Sequence, residues 1–323
     1  MSLTRLQTAL DDGALVLPAG PVAVLRPAAG QDLAGIPRDA LRVVTTFAPD
    51  ATWWAGSGVP VTPVAPPAAA AMVVVPRAKA LARAMVAQAC AAAPLVLVDG
   101  QRTDGTDALW REIRARIGDV PSVTKGHGRL FWFAASDAFA DWAMPAPQRG
   151  PEGFFTLPGV FSEGAVDAGS ALLAQALPAK LPGRMADLGA GWGYLSRAVL
   201  AREGVKSLDL IEAEALALDC ARLNVTDPRA QFLWQDATAF RPERPYDGIV
   251  MNPPFHQGRA ADPGIGRAFI AAAQKMLGRD GQLWLVANRH LPYEQALNAA
   301  FRTVTEIAGD RAFKVLHASR PNH

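Results

Sequence analysis

The stretch Asp247-Gly248-Ile249-Val250-Met251-Asn252-Pro253-Pro254-Phe255-His256-Gln257-Gly258 decides the fold of the second half of the chain. Ile249 to Met251 predicts a buried strand. Two consecutive prolines end it, because they cannot donate to a sheet ladder or enter a helix interior. In an open α/β sheet, the carboxyl end of a strand is where ligands bind. A planar amine could donate to the Asn252 amide oxygen and the Pro253 carbonyl while its ring stacks on Phe255. The alternative is a proline-rich turn with a packed phenylalanine.

Three other strands predicted in this half end in residues suited to a ligand. The first runs into Gly189-Ala190-Gly191-Trp192-Gly193, whose glycines let the turn tighten and a ligand approach the backbone. This spacing is not the Gly-x-Gly-x-x-Gly of dinucleotide folds, so it favours a cofactor held through an amino-acid moiety and a nucleoside. Glu212 ends the second strand, where a carboxylate can bind a ribose diol. Asp236, followed by Ala237, ends the third and could accept from an adenine amine. Either acid could instead be a solvated loop residue or a helix cap.

The composition and a segment rich in proline and glycine indicate that the chain has two domains. The 323 residues are 50% hydrophobic and 19% charged with a formal net charge of +2, which suits two domains with separate cores. Prolines and glycines crowd the segment from Met144 to Gly153 and predict a boundary between domains 1–148 and 149–323. The first domain alternates apolar runs with helical patterns, yet no glycine-rich turn joins a strand to a helix. We therefore predict a nucleotide-binding fold without its cofactor site.

Cysteine content and hydropathy narrow the class of protein. Cys90 and Cys220 lie in apolar helical patterns, without the paired spacing of metal ligands or a disulfide framework. The longest apolar run, Ala68 to Val75, is too short to span a bilayer. These features predict a cytoplasmic protein with no metal and no membrane segment.

A basic corner, Lys125-Gly126-His127-Gly128-Arg129, precedes an aromatic strand in the first domain. The Lys125 ammonium could attract a phosphate group by its charge, and the Arg129 guanidinium could donate two parallel hydrogen bonds to it. The alternative is a solvated turn ahead of a buried strand. Since the net charge is nearly balanced, a polyanion would have to be bound by local patches of this kind.

Together these motifs resemble the class I S-adenosylmethionine-dependent methyltransferases, and more closely the bacterial rRNA guanine-N2 methyltransferases of the RsmC and RlmG type. The resemblance covers residues 150–318. It rests on Phe155-Thr156-Leu157-Pro158-Gly159-Val160-Phe161-Ser162, Asp187-Leu188-Gly189-Ala190-Gly191-Trp192-Gly193, Asn252-Pro253-Pro254-Phe255-His256, and Val286-Ala287-Asn288 with Leu291-Pro292-Tyr293. It implies an α/β fold of two Rossmann-like domains. The C-terminal domain would have a seven-stranded class I methyltransferase sheet with an antiparallel final hairpin. The N-terminal domain would be a degenerate copy that binds RNA or acts as a scaffold.

Two short internal matches agree with such a copy. The run from Leu97 to Arg102 parallels the run from Leu285 to His290, at an offset of 188 (285 − 97). The run from Gly128 to Ser136 parallels residues 310–319, at an offset of 183 (319 − 136). The two offsets nearly agree.

The resemblance also implies roles for individual residues. Methyl transfer from S-adenosylmethionine to the N2 amine of a 16S rRNA guanine would use Asn252, Pro253, Pro254 and Phe255. The implied cofactor-binding residues are Phe161, Ser162, Asp187, Gly189, Ala190, Gly191, Gly193, Glu212, Asp236, Ala237 and Asn252. Candidate RNA contacts are Lys125, Arg129, His256 and Arg289, and His256 is either a proton acceptor or a structural histidine. The sequence departs from the family in Arg289-His290, where small or apolar residues are expected before Leu291.

The expected partner is ribosomal RNA or the small ribosomal subunit, and the expected state is a monomer without metal or membrane contact. Three other amine substrates suit the same motif: a 23S rRNA guanine, the N6 of a DNA adenine and the amide of a protein glutamine. An interpretation from another class is a non-catalytic RNA-binding assembly factor that keeps the cofactor fold.

Overall fold

The structure, a computed structural model, describes residues 4–160, 162, 165–254, 256–257, 260–261 and 263–322. The chain forms two compact units, Met1–Ala146 and Pro147–His323. Each unit is an α/β fold built on a seven-stranded sheet.

The first unit has seven strands in the order β3-β2-β1-β4-β5-β7-β6. The strands are β1 (Val22–Leu25), β2 (Leu41–Val44), β3 (Val61–Thr62), β4 (Ala70–Val74), β5 (Leu95–Gln101), β6 (Ser122–Lys125) and β7 (Gly128–Ala134). The helices are α1 (Arg5–Asp11), α2 (Ala48–Gly56), α3 (Lys79–Ala92) and α4 (Thr106–Ile117). The first five strands pair in parallel, whereas β7 runs antiparallel to β5 and β6. The predicted βαβ pattern of this half is confirmed.

The second unit repeats this plan in the order β12-β11-β10-β13-β16-β18-β17. Its sheet strands are β10 (Arg184–Leu188), β11 (Ser207–Glu212), β12 (Ala230–Trp234), β13 (Tyr246–Met251), β16 (Leu277–Asn288), β17 (Phe301–Gly309) and β18 (Phe313–Pro321). Two short ribbons pair β8 (Gln148–Arg149) with β9 (Phe155–Thr156) and β14 (His256–Gln257) with β15 (Ala260–Ala261). The helices are α5 (Ala168–Ala176), α6 (Tyr194–Leu200), α7 (Ala215–Asn224), α8 (Pro263–Met276) and α9 (Tyr293–Ala300).

The last two strands confirm the predicted antiparallel hairpin, since β18 pairs antiparallel with both β16 and β17. One local expectation was wrong. The composition of Gly278-Arg279-Asp280-Gly281 predicts a turn, but β16 is continuous from Leu277. The sheet absorbs the extra residues as a register irregularity between Tyr246 and Gly248 of β13.

Buried strands place the core of the second unit on both faces of its sheet. Along β13, Ile249 and Met251 pack into one apolar cluster and Val250 into the other, as the alternation of a strand requires. Helices cover both clusters, which explains why these strands read as continuous apolar runs.

The two units can be compared through strand register. Leu25 pairs with Val73, which pairs with Val98, which pairs with Phe131. In the second unit the same path runs through Leu188, Met251, Leu285 and Leu316. The equivalent offsets are 187 (285 − 98) and 185 (316 − 131), so the sequence matches at 188 and 183 were misaligned by one and two residues. The duplicated architecture itself is confirmed.

Candidate active site

The glycine-rich turn joins β10 to α6 at the carboxyl edge of the second sheet. Gly189, Gly191 and Gly193 have φ of 72°, 55° and 89°, a left-handed backbone that glycine adopts without strain. The Gly189 N–H donates to the Ile211 carbonyl at 2.8 Å, which fixes the start of the turn. A Cβ on Gly193 would lie 2.8 Å from Val225 Cγ2, whereas one on Gly191 would meet nothing within 4 Å. The centre of the turn is therefore open to a ligand.

Asp187 lies directly below this turn and is fully buried. Its Oδ2 accepts from the Ser196 hydroxyl at 2.6 Å, while its Oδ1 is buried and has no hydrogen-bond partner among the described residues. Burial raises the pKa of Asp187 to about 7; the Ser196 hydroxyl opposes this and the charge of Glu212 adds to it. A buried carboxylate oxygen without a donor is costly, so this atom is suited to receive a donor from a bound ligand.

Glu212 ends β11 and faces the same turn. Its two carboxylate oxygens accept from the backbone N–H groups of Gly191 and Glu214, each at 2.8 Å. Burial raises the pKa of Glu212, while these backbone donors lower it. The carboxylate is thus held against the glycine turn, where a pair of hydroxyls can bind it.

Asp236 follows β12 and mainly organises its own loop. Its Oδ1 accepts from both the N–H and the hydroxyl of Thr238, at 2.8 and 2.6 Å, and its carbonyl accepts from Ala239 and Phe240. This is the capping arrangement that the sequence left open as an alternative. Ala237 beside it is buried. A role for either residue at an adenine ring stays a prediction.

Asn252 follows β13, and its orientation is fixed by two side chains. Its Nδ2 donates to Asp167 Oδ2 and to Ser170 Oγ, both at 2.8 Å. Asp167 is itself held as the N-cap of α5, where it accepts from the Ser170 N–H. With both amide hydrogens committed, Oδ1 is the part of the Asn252 amide that remains for an incoming donor.

Sequence analysis missed Asp167 and Ser170. Their signal was an Asp followed three residues later by Ser ahead of an apolar run. That pattern indicates an ordinary helix start. Only the fold brings it to Asn252, more than 80 residues away in the chain.

The segment before α5 is tied to the glycine turn by Asn224 of α7. Asn224 Oδ1 accepts from the Phe155 N–H at 2.7 Å, and its Nδ2 donates to the carbonyls of Phe155 and Trp192, both at 2.8 Å. The Phe154 ring packs against Trp192 and Tyr194, with centroids 4.8 and 5.5 Å apart. Phe155, the first residue of the Phe155–Ser162 run on which the resemblance rests, is therefore anchored beside the glycine-rich turn.

The structure describes only some of the other candidate site residues at the carboxyl edge of the sheet. Pro253 is buried and Pro254 exposed. Ser162 has a φ of 55° and its hydroxyl donates to the Ala165 carbonyl at 2.7 Å, within its own turn. Phe161, Phe255 and the side chain of His256 lie outside the described part of the structure.

The predicted RNA-binding cations make internal contacts. Arg129 donates to Asp107 at 2.7 Å and its guanidinium lies 4.1 Å from the centre of the Trp110 ring. Arg289 donates to Glu306 and to the Asp310 carbonyl, at 2.9 and 2.7 Å, and Lys125 lies 3.4 Å from the Thr8 hydroxyl. These contacts give Arg129 and Arg289 structural roles and no support for an RNA contact.

The first unit carries different residues at the equivalent strand ends. By the sheet register, Arg26 stands where Gly189 does, Thr45 where Glu212 does, and Val74 where Asn252 does. Arg26 has a left-handed φ of 60° and its N–H donates to the Val44 carbonyl at 2.7 Å, as Gly189 does to Ile211. The backbone of the turn is retained, whereas the groups suited to a ligand are replaced.

Two features are absent from the described residues. No group of three or more His, Cys, Asp or Glu side chains there could hold a metal ion. Nor does any helix in that part of the chain have the length and hydropathy needed to cross a membrane.

Comparisons with known proteins identify the family of this chain. A family model, the methyltransferase small domain, matches residues 152–317. The ribosomal RNA small subunit methyltransferase C of Shewanella sp. (strain MR-4) is 32% identical over 254 residues, covering 74% of each chain. The protein of the same name from Psychromonas ingrahamii is 38% identical over 162 residues, covering 50% of this chain and 46% of the relative.

A solved structure is similar over both units. It is the T. thermophilus 16S rRNA N2 G1207 methyltransferase (RsmC) in complex with AdoMet and guanosine, with a TM-score of 0.78 and 26% identity. The match covers 95% of this chain and 90% of that one. The chain belongs to the methyltransferase small domain family, and within it to the RsmC-type ribosomal RNA methyltransferases.

Proposed function

We propose that this protein transfers a methyl group from S-adenosylmethionine to the exocyclic N2 amine of a guanine in 16S ribosomal RNA. The observation that carries the proposal is the Asn252 amide at the end of β13, whose Nδ2 is held by Asp167 and Ser170. The remaining oxygen is an acceptor suited to an amine. The names of its relatives and the guanosine complex of the T. thermophilus protein favour guanine over the other amines.

The residues around the glycine turn fit S-adenosylmethionine. The open space at Gly191 suits a ligand next to the backbone, the Asp187 Oδ1 has no donor among the residues that the structure describes, and the Glu212 carboxylate suits a ribose diol. When bound, this cofactor supplies a methyl group already activated by a positively charged sulfur. The protein therefore needs to bind and align the reactants rather than activate them.

The residues that follow β13 align the base. Asn252 Oδ1 and the Pro253 carbonyl accept the two amine hydrogens, which turns the nitrogen lone pair toward the methyl group. Such positioning can contribute ~7–11 kcal/mol to lowering a barrier. Pro254 keeps the segment extended, and Phe255 stacks on the base, a contact that contributes ~1–3 kcal/mol. The guanine has to be unpaired or flipped out to enter.

The wider assignment follows from the substrate. We infer a cytoplasmic enzyme that acts as a monomer on ribosomal RNA or on the small subunit. Residues 149–323 form the catalytic domain. Residues 1–148 form a domain that binds RNA or acts as a scaffold, since its strand ends lack the cofactor and amine-binding groups.

The test compares Asn252→Ala with the wild-type protein. Removing one preorganised polar contact to the reacting group is expected to lower kcat by about 10²–10³-fold, while S-adenosylmethionine affinity measured by calorimetry stays within about twofold. Asp167→Asn keeps an N-cap but replaces a charged acceptor, so kcat should fall less, by about tenfold. Nucleoside mass spectrometry of 16S and 23S rRNA from a deletion strain identifies the base. Loss of cofactor binding in Asn252→Ala equal to the loss of activity, or loss of a nucleoside other than N2-methylguanosine, would contradict the proposal.

A further inference from the structure

A second feature of the catalytic unit is an open cleft at the amino-terminal edge of its sheet. The cleft has a volume of about 750 Å³, within the range of small-molecule and nucleotide sites. It lies where β10, β11 and β13 begin, and its lining includes Arg184, Ser207 and Pro245. Because these strands are parallel, the glycine turn and Asn252 lie at the opposite edge. The cleft is therefore separate from the candidate active site.

Backbone hydrogen bonds hold the walls of this cleft. The Lys206 N–H donates to the Gly183 carbonyl at 2.7 Å, and the Leu181 N–H donates to the Glu203 carbonyl at 2.9 Å. The Arg184 N–H donates to Asp247 Oδ2 at 2.9 Å. A ligand would thus meet a preformed surface and would not have to order a loop.

The charge of the cleft is strongly unbalanced. Four cations line it, Lys180, Arg184, Lys206 and Arg244, against one carboxylate, Asp247. Because Arg184 is also paired with Asp209, the net charge at the cleft is +2 (4 − 2), as large as that of the whole chain. Concentrated charge of one sign in a concave surface attracts ligands of the other sign.

Three of the four cations are free to bind a ligand. Lys180, Lys206 and Arg244 are exposed, and their side chains form no hydrogen bond or ion pair within the described part of the chain. Other cations, such as Arg129 and Arg289, are neutralised by carboxylates. Unpaired cations on three separate segments around one cleft are not needed for the fold.

The fourth cation is fixed in place. The Arg184 guanidinium lies 4.8 Å from the centre of the Tyr246 ring and 3.4 Å from Asp209 Oδ2. Tyr246 is fully buried, and its hydroxyl donates to the same oxygen at 2.5 Å. The Arg184 guanidinium is thus committed to Asp209 and the Tyr246 ring, and the three exposed cations are the charges available to phosphate oxygens.

We propose that this cleft binds the phosphodiester backbone of the same RNA whose base is modified at the opposite edge of the sheet. This inference rests on the proposed function. Five to six residues per strand, at about 3.3 Å each, separate the two edges by roughly 16–20 Å. A folded RNA can reach across that distance. Backbone contacts carry no sequence information, but they fix the register in which a base is presented.

The experiment compares two double variants of the full chain. Lys206→Ala/Arg244→Ala removes two cleft cations. Lys275→Ala/Arg302→Ala removes two exposed cations on α8 and β17, outside the cleft, and is the matched control. RNA affinity is measured between 50 and 300 mM salt, with KM and kcat for methyl transfer and calorimetric binding of S-adenosylmethionine. Each lost phosphate contact is expected to weaken RNA binding about fivefold at 0.1 M salt and to lower the salt slope by about 0.7–0.9.

The cleft variant should therefore bind RNA roughly 25-fold more weakly, with a raised KM for RNA, an unchanged kcat and unchanged cofactor binding. Equal RNA affinities and salt slopes in the two double variants would overturn the inference. The inference would also be overturned if the cleft variant lost binding to polyglutamate or to inorganic pyrophosphate but still bound RNA normally. The cleft would then bind an acidic peptide or a free phosphate. If the wild-type protein transfers no methyl group to RNA, the proposed function itself has failed. If the wild-type protein methylates RNA and the two double variants bind RNA equally well, only the RNA-binding role of the cleft is refuted.

Discussion

Asp187 should make the stability of the second unit depend on pH, and Asp187→Asn should remove that dependence. The carboxyl group is fully buried, with one oxygen bound to Ser196 and the other without a partner among the described residues. Burial raises its pKa from 3.8 to about 7. Between these two pH values the folded protein keeps a proton that the unfolded chain releases. The free energy of unfolding therefore falls as the pH rises through this range.

The magnitude follows from the width of the range. Each pH unit contributes about 1.4 kcal/mol, so about three units contribute roughly 4 kcal/mol. An asparagine cannot ionise. We expect Asp187→Asn and the wild type to have similar free energies of unfolding near pH 4. Above that pH the wild type should lose stability, so that the variant is more stable by up to roughly 4 kcal/mol at pH 8.

Urea unfolding between pH 4.5 and 8.5 without cofactor measures this difference. Because the two units can unfold separately, hydrogen exchange of peptides from Arg184–Leu200 localises the effect to β10 and α6. Asp219→Asn, which changes an exposed carboxylate paired with Arg222 on α7, is the control. A difference between Asp187→Asn and the wild type that stays constant within about 1 kcal/mol from pH 5 to 8 would refute the reasoning.

Two further changes separate packing from binding. Gly193→Ala adds a Cβ 2.8 Å from Val225 at a φ of 89°, so we expect it to lower the free energy of unfolding by about 2–3 kcal/mol. Gly191→Ala meets open space and should lose only about 1 kcal/mol while losing cofactor affinity, as urea unfolding and calorimetry will show. A larger stability loss in Gly191→Ala than in Gly193→Ala would contradict this assignment. Lys314→Met removes a buried ammonium that donates to the Leu291 carbonyl at 2.8 Å and to Glu294 at 2.5 Å. Urea unfolding should show a loss of about 1–3 kcal/mol because two hydrogen bonds from a charged donor are lost, although the Leu291 carbonyl still accepts from the Tyr293 N–H. An unchanged midpoint would show that the Lys314 contacts contribute nothing.

The sequence predicted the parts of the site that follow from strand ends. A glycine turn, an acid and an amide after consecutive buried strands must meet at one edge of a parallel sheet, because parallel strands end on the same side. The register of β10, β11 and β13 confirms this geometry. The final hairpin was equally predictable, since a short link between two strands forces an antiparallel pair.

Contacts between distant segments were not predictable in this way. Asn224 joins Phe155 to Trp192 across 69 and 32 residues, and nothing in its helical sequence context distinguishes it from a surface residue. The cleft cations Lys180, Lys206 and Arg244 are spread over more than 60 residues, so no local run of charge revealed them. The continuous start of β16 was missed because Gly278-Arg279-Asp280-Gly281 has the composition of a turn. The neighbouring strand overrides that preference.

The comparison of the two units shows which residues differ at equivalent strand ends. Both turns after the first strand of the sheet have a left-handed residue whose N–H donates to the neighbouring strand, at Arg26 and at Gly189. A non-glycine residue in that conformation costs about 1 kcal/mol, so the fold imposes the turn even where it is unfavourable. At Arg26, however, a long side chain replaces the glycine, and Val74 offers no acceptor where Asn252 does. The shared sheet therefore accounts for the architecture of both units, while residues at its strand ends account for the proposed activity of only one.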